Sequence, residues 1–60
     1  MLEYFKVILQ KVSFDAGLFE KELRKAIKYL LPSEVKDLEA WCYGHFGQRY
    51  QLILNNCFNS

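Results

Sequence analysis

The sequence predicts an all-α fold, a compact bundle of three to four short antiparallel helices, either complete in one chain or completed by dimerisation. Apolar residues recur at helical spacing along most of the chain, and no segment shows the sustained alternation of a strand. The only proline, Pro32, lies between two helical segments. Because the connections are short, neighbouring helices must run antiparallel, and residues 1–60 form one domain.

Composition indicates how so short a chain can fold. A chain of about 60 residues buries only about 60% of the surface that it exposes when unfolded. This one is 52% hydrophobic and 17% aromatic, which favours dense apolar packing and excludes disorder. Its net charge of +1 is too balanced to predict nucleic-acid or membrane binding from bulk charge.

The first helix is predicted from Met1 to Val12. At 100° per residue its apolar positions share one face: Leu2, Phe5, Ile8, Leu9 and Val12. Tyr4 and Val7 widen this sector at its margins, which predicts contacts with two neighbours rather than one.

The second helix is predicted to follow Ser13 and to run to about Leu31. Asp15 suits its N-cap, because a carboxylate there accepts hydrogen bonds from unpaired backbone N–H groups. Phe14 and Phe19 then occupy the two positions of a hydrophobic staple.

Pro32 is expected in the first turn of the third helix, where proline is well tolerated. The inward face of that helix is predicted from its spacing: Val35, Leu38, Cys42 and Phe46. Gly47 suits the C-cap, and a fourth helix is predicted from Gln48 to about Phe58.

Trp41 and Tyr43 lie to either side of the inward face of helix three, and a monomer of this size has few places to bury so many large side chains. Because Trp and Tyr dominate interface hot spots, they and the open margin of helix one, Tyr4 and Val7, predict a protein interaction surface. The partner would be a second copy or another protein. The alternative is that each ring covers the core edge with its polar atom in water.

Helix two carries four basic side chains: Lys21, Arg24, Lys25 and Lys28. A basic helical face can run along phosphates, so a small nucleic-acid-binding domain is the alternative function. Glu20 and Glu22 flank this patch, and we favour the other interpretation, the solvated face of an amphipathic helix.

Cys42, His45 and Cys57 could be three zinc ligands, but a fourth is missing from the pattern. The alternatives are two small buried apolar thiols, the reading we favour, or a Cys42–Cys57 disulfide. No nucleophile with an oriented base and no phosphate-binding loop is visible, so we predict neither catalysis nor a cofactor. Two cysteines, no leader pattern and no long apolar run favour a cytoplasmic protein without a membrane span.

The stretch Phe5–Asp15 resembles the start of a group of short uncharacterised bacterial helical proteins. The resemblance extends over roughly the first 45 residues through Leu18-Phe19, Lys21-Glu22-Leu23, Leu31-Pro32 and Trp41-Cys42. It implies a natural, cytoplasmic, stand-alone small protein, and it implies no activity, ligand or catalytic residue.

Overall fold

Three helices follow one another in the computed structural model of the chain, which describes residues 1–59. They are α1 (Leu2–Lys11), α2 (Ala16–Tyr29) and α3 (Pro32–Phe58), and no strand occurs in the described span. The all-α prediction is therefore confirmed. The three helices enclose one apolar core, with a Cα radius of gyration of 10.0 Å.

The start of α2 follows from its N-cap. Asp15 has extended backbone angles, and its carboxylate accepts a hydrogen bond of 3.0 Å from the backbone N–H of Leu18, as predicted. The predicted staple is wrong: Phe14 is 73% exposed, whereas Phe19 is completely buried. The ring of Phe19 is covered instead by Tyr50, at a centroid distance of 4.6 Å, and by Phe46 at 5.0 Å.

The start of α3 is fixed by Pro32, as predicted. The Glu34 carboxylate accepts a hydrogen bond of 3.0 Å from the backbone N–H of Leu31 and so satisfies one donor at this end. Helix α2 ends at Tyr29, slightly before the predicted Leu31. Leu30 and Leu31 both have extended backbone angles, and for Leu31 this follows from Pro32, because proline disfavours the helical conformation at the residue that precedes it.

One kinked helix replaces the predicted third and fourth helices. Gly47 does not have the left-handed conformation of a capping glycine, and the helix continues through it to Phe58. The break falls instead at Tyr50, where φ is −122° and ψ is 32°. We ascribe this difference to packing rather than to a local sequence signal, because the buried Tyr50 ring stacks on Phe19 of α2 and so determines where the helix bends.

All parts of the chain contribute to the core. Helix α1 supplies Phe5 and Leu9, and both halves of α3 supply wholly buried side chains. Among residues 1–59 the buried apolar residues are Phe5, Leu9, Phe19, Leu23, Ala26, Leu30, Leu38, Cys42, Tyr50, Leu54 and Cys57. The core therefore uses residues of the inward faces that the sequence predicts, although Val35 and Phe46 are only partly buried, and it leaves the outer face of α1 in solvent.

Candidate interaction surface

The outer face of α1 carries exposed apolar side chains. Tyr4 is 60% exposed and Val7 is 51% exposed, while Phe5 and Leu9 on the opposite face are buried. Tyr4 and Val7 are three residues apart, so they are neighbours on the helix surface. The structure thus places together, in solvent, the two residues of α1 that the sequence marks as candidate contacts.

Other large apolar side chains are exposed in the rest of the described chain. Leu18 and Tyr29 lie on α2 and Leu52 lies on α3, as expected for positions away from the apolar centre of each helix. Phe14 and Leu31, in the two connections, are also exposed, at 73% and 65%. The helical periodicity could not identify these two, because they lie outside the helices.

Trp41 is partly buried and is engaged by its own chain. Its ring stacks on His45 at a centroid distance of 4.6 Å and meets Phe46 edge to face at 5.6 Å. The ammonium of Lys6 lies 5.7 Å from the centre of the same ring. The Lys6 contact joins α1 to the first half of α3. The assignment of Trp41 to an interface stays a prediction.

Tyr43 is also partly buried. Its hydroxyl donates a hydrogen bond to the side-chain carbonyl of Asn55, and its ring lies 6.4 Å from that of Phe58. Both contacts cross the bend at Tyr50. Tyr43 therefore connects the two halves of α3, and its assignment to an interface also stays a prediction.

The predicted basic patch lies on the exposed side of α2. Arg24 pairs with Glu20 at 3.0 Å, and this hydrogen bond raises the pKa of the guanidinium. Lys25 lies 4.0 Å from Glu22. Intrachain carboxylates thus offset the charge of two of the four basic residues, whereas Lys21 and Lys28 are exposed without an ion pair among the described residues.

A groove of about 410 Å³ lies between the last turns of α2 and the end of α3. It brings together three of the predicted basic residues and not Lys21. Its lining is Arg24, Lys25, Ile27, Lys28, Tyr29 and Cys57. The lining combines three cationic side chains with the apolar side chain of Ile27 and the ring of Tyr29.

The two cysteines are free thiols buried in the core. Burial raises the pKa of Cys42 to about 12 and also raises the pKa of Cys57, so both thiols are protonated at neutral pH. His45 is exposed, with Nδ1 3.1 Å from the carbonyl oxygen of Trp41. Cys42 and His45 therefore have opposite environments, and no trio of possible metal ligands forms within residues 1–59.

No protein-family model, curated protein or solved structure matches the chain. In the part of the chain that the structure describes, no helix is both long enough and apolar enough to cross a membrane.

Proposed function

We propose that this protein is a small helical interaction module that self-associates through the outer face of α1, with Tyr4 and Val7 as its central contacts. The observation that carries this proposal is their exposure, at 60% and 51%, beside a well-filled core. Tyrosine provides a large contact area at low cost in conformational entropy, which is why it is frequent at interface hot spots. The buried free thiols support a reducing compartment, the cytoplasm.

We choose the outer face of α1 after comparing it with the other candidate contact residues. Trp41 and Tyr43 already have partners within the fold, so their contact area is partly used. Phe14 and Leu31 lie one in each connection, whereas Tyr4 and Val7 are neighbours on one helix. Neighbouring exposed apolar side chains favour a binding surface more strongly than scattered ones do.

The test is the molar mass in solution, measured by light scattering after size exclusion over a dilution series. We expect the wild-type chain to shift from 7.1 kDa towards twice that value as concentration rises. A Tyr4→Ser, Val7→Ser variant should stay monomeric. Leu52→Ser is the matched control, because Leu52 is 78% exposed but lies on α3. A wild-type chain that is monomeric at millimolar concentration would reject self-association.

The second candidate is nucleic-acid binding by Lys21, Arg24, Lys25 and Lys28. The groove that gathers Arg24, Lys25 and Lys28 supports it, and the two glutamate pairs weaken it. Fluorescence anisotropy with short DNA and RNA probes at low salt is the test. Binding that falls steeply with salt supports this candidate, because Lys and Arg release counterions from phosphates. Absence of binding at low salt rejects it.

A further inference from the structure

Three exposed residues of α1 form one row along its outer face. Glu3, Val7 and Lys11 are each four residues apart, so they lie one above the other on the helix surface. At a rise of 1.5 Å per residue, Val7 lies about 6 Å from the level of either charge. The row is thus acidic at one end, apolar in the middle and basic at the other end.

We infer that a second copy of this chain docks on α1 in antiparallel orientation, with the two-fold axis passing between the two Val7 side chains. The equal spacing then brings Glu3 of each copy opposite Lys11 of the other. A two-fold interface must be self-complementary, because each contact occurs twice with the roles exchanged. The inference rests on the proposed self-association and adds its orientation and alignment.

Both charges are available for this contact. The side chain of Glu3 is 83% exposed, and its only ion pair within the described chain is with Lys6 at 3.2 Å. Lys6 reaches back over the ring of Trp41, so it approaches the Glu3 carboxylate from the inner side of α1. Lys11 is exposed and has no ion pair in residues 1–59.

The antiparallel arrangement is favoured over the parallel one by charge. Parallel α1 helices aligned at Val7 would place Glu3 opposite Glu3 and Lys11 opposite Lys11, which repels at both ends. In the antiparallel arrangement both ends attract, and the two helix dipoles also oppose each other.

The size of the surface sets the expected affinity. Helix α1 has 10 residues and is therefore about 15 Å long. A contact of this length belongs to the small interfaces that bury less than about 1,200 Å² and form transiently. We therefore expect a reversible dimer with a dissociation constant in the micromolar range or above.

Charge reversal tests the alignment. Glu3→Lys alone makes both ends of the row basic, and Lys11→Glu alone makes both ends acidic, so each variant by itself should dimerise about tenfold more weakly than the wild type. An equimolar mixture of the two variants should restore association, because each copy then offers the charge that the other lacks. Sedimentation velocity over a concentration series gives the dissociation constants.

Matched controls separate local pairing from net charge and from the helix dipole. Lys28→Glu changes the net charge as Lys11→Glu does, in the last turn of α2. Asp37→Lys changes the net charge as Glu3→Lys does, beyond the first turn of α3, and so controls for net charge alone. Both controls should dimerise like the wild type. If the wild type dimerises and the charge-reversal variants have the same dissociation constant, the alignment is overturned and self-association stands. If the wild type is a monomer, both are overturned.

A cross-link provides the second measurement. A Val7→Cys variant should form an intermolecular disulfide under mild oxidation, because position 7 meets itself at the two-fold axis, and peptide mapping separates this bond from Cys42 and Cys57. A Lys11→Cys variant should not, since position 11 faces position 3 of the other copy. A parallel pair would cross-link at both positions, and that result would reject the antiparallel arrangement.

Discussion

The phenolic hydroxyl of Tyr50 donates a hydrogen bond to the backbone carbonyl of Ser13, across 37 residues of sequence. Tyr50 is the residue at which α3 bends, and Ser13 lies in the connection between α1 and α2. The Tyr50 ring stacks on Phe19 at the same place. One side chain thus ties the bend in α3 to α2 and to the connection between α1 and α2.

Removal of this hydroxyl tests how much the hydrogen bond stabilises the fold. Tyr50→Phe keeps the stacking on Phe19 but leaves the Ser13 carbonyl without its partner. We expect the free energy of unfolding in urea to fall by about 1 kcal/mol. The control is Tyr29→Phe, because Tyr29 is 66% exposed and should show no change. Equal effects of the two substitutions would contradict a structural role for the Tyr50 hydroxyl.

The interior of α3 offers a stabilising substitution. Gly44 is exposed within the helix, and a Cβ atom there would meet nothing within 4 Å. Gly44→Ala should therefore raise the free energy of unfolding by about 1 kcal/mol, since alanine has less backbone freedom to lose. Gly17→Ala is the comparison: its Cβ would lie 3.3 Å from the capping oxygen of Asp15, and the gain should be smaller or absent. Chemical denaturation of both variants measures the difference.

Trp41 and Tyr4 should respond differently to truncation. Trp41→Ala removes the contacts with Lys6, His45 and Phe46, so the free energy of unfolding should fall by about 2 kcal/mol or more. Tyr4→Ala should change it by less than about 1 kcal/mol, because Tyr4 is 60% exposed. Thermal unfolding at low protein concentration, where self-association is absent, gives both values. A larger loss of unfolding free energy for Tyr4→Ala than for Trp41→Ala would contradict our assignment of Trp41 to the fold and of Tyr4 to the surface.

Burial of Cys42 predicts a loss of stability at alkaline pH. Its pKa rises from an ordinary value of 9.0 to about 12 in the folded chain, so the unfolded chain loses this proton first. The stabilisation is complete below pH 9 and declines as pH rises towards 12, by no more than about 1 kcal/mol per pH unit.

Urea unfolding at pH 8, 9 and 10 measures this decline, with Cys42→Ala as the reference chain. The variant retains every other titrating group, so the difference between the two slopes reports Cys42. The wild-type free energy of unfolding should decline more steeply with pH than that of the variant. Parallel slopes would show that the thiol does not contribute.

The sequence predicted those parts of the fold that local rules determine. The N-cap at Asp15 and the proline start of α3 depend on a few adjacent residues, and both are where the sequence places them. The bend at Tyr50 could not be predicted, because it depends on Phe19 and Ser13, far away in sequence. Gly47 was misleading for the same reason. Glycine suits a helix C-cap, but it does not end a helix that tertiary packing holds together on both sides of it.

The candidate surface was predictable in part. Helical periodicity placed Tyr4 and Val7 at the margin of the apolar face, and both are exposed. It could not show that Trp41 meets Lys6 or that Tyr43 meets Asn55, because these contacts require the relative placement of distant segments. Nor could it show that Cys42 and His45, close in sequence, have different environments: Cys42 is buried in the core, whereas His45 is exposed.

The bend in α3 also sets the dimensions of the molecule. A straight helix of 27 residues would be about 40 Å long, whereas the longest extent of the whole Cα trace is 25 Å. The final turns must therefore fold back along the bundle for Leu54 and Cys57 to be covered. If the bend opened, the chain would become a longer particle with almost unchanged helix content. Its slower diffusion, rather than its circular dichroism, would then reveal the change.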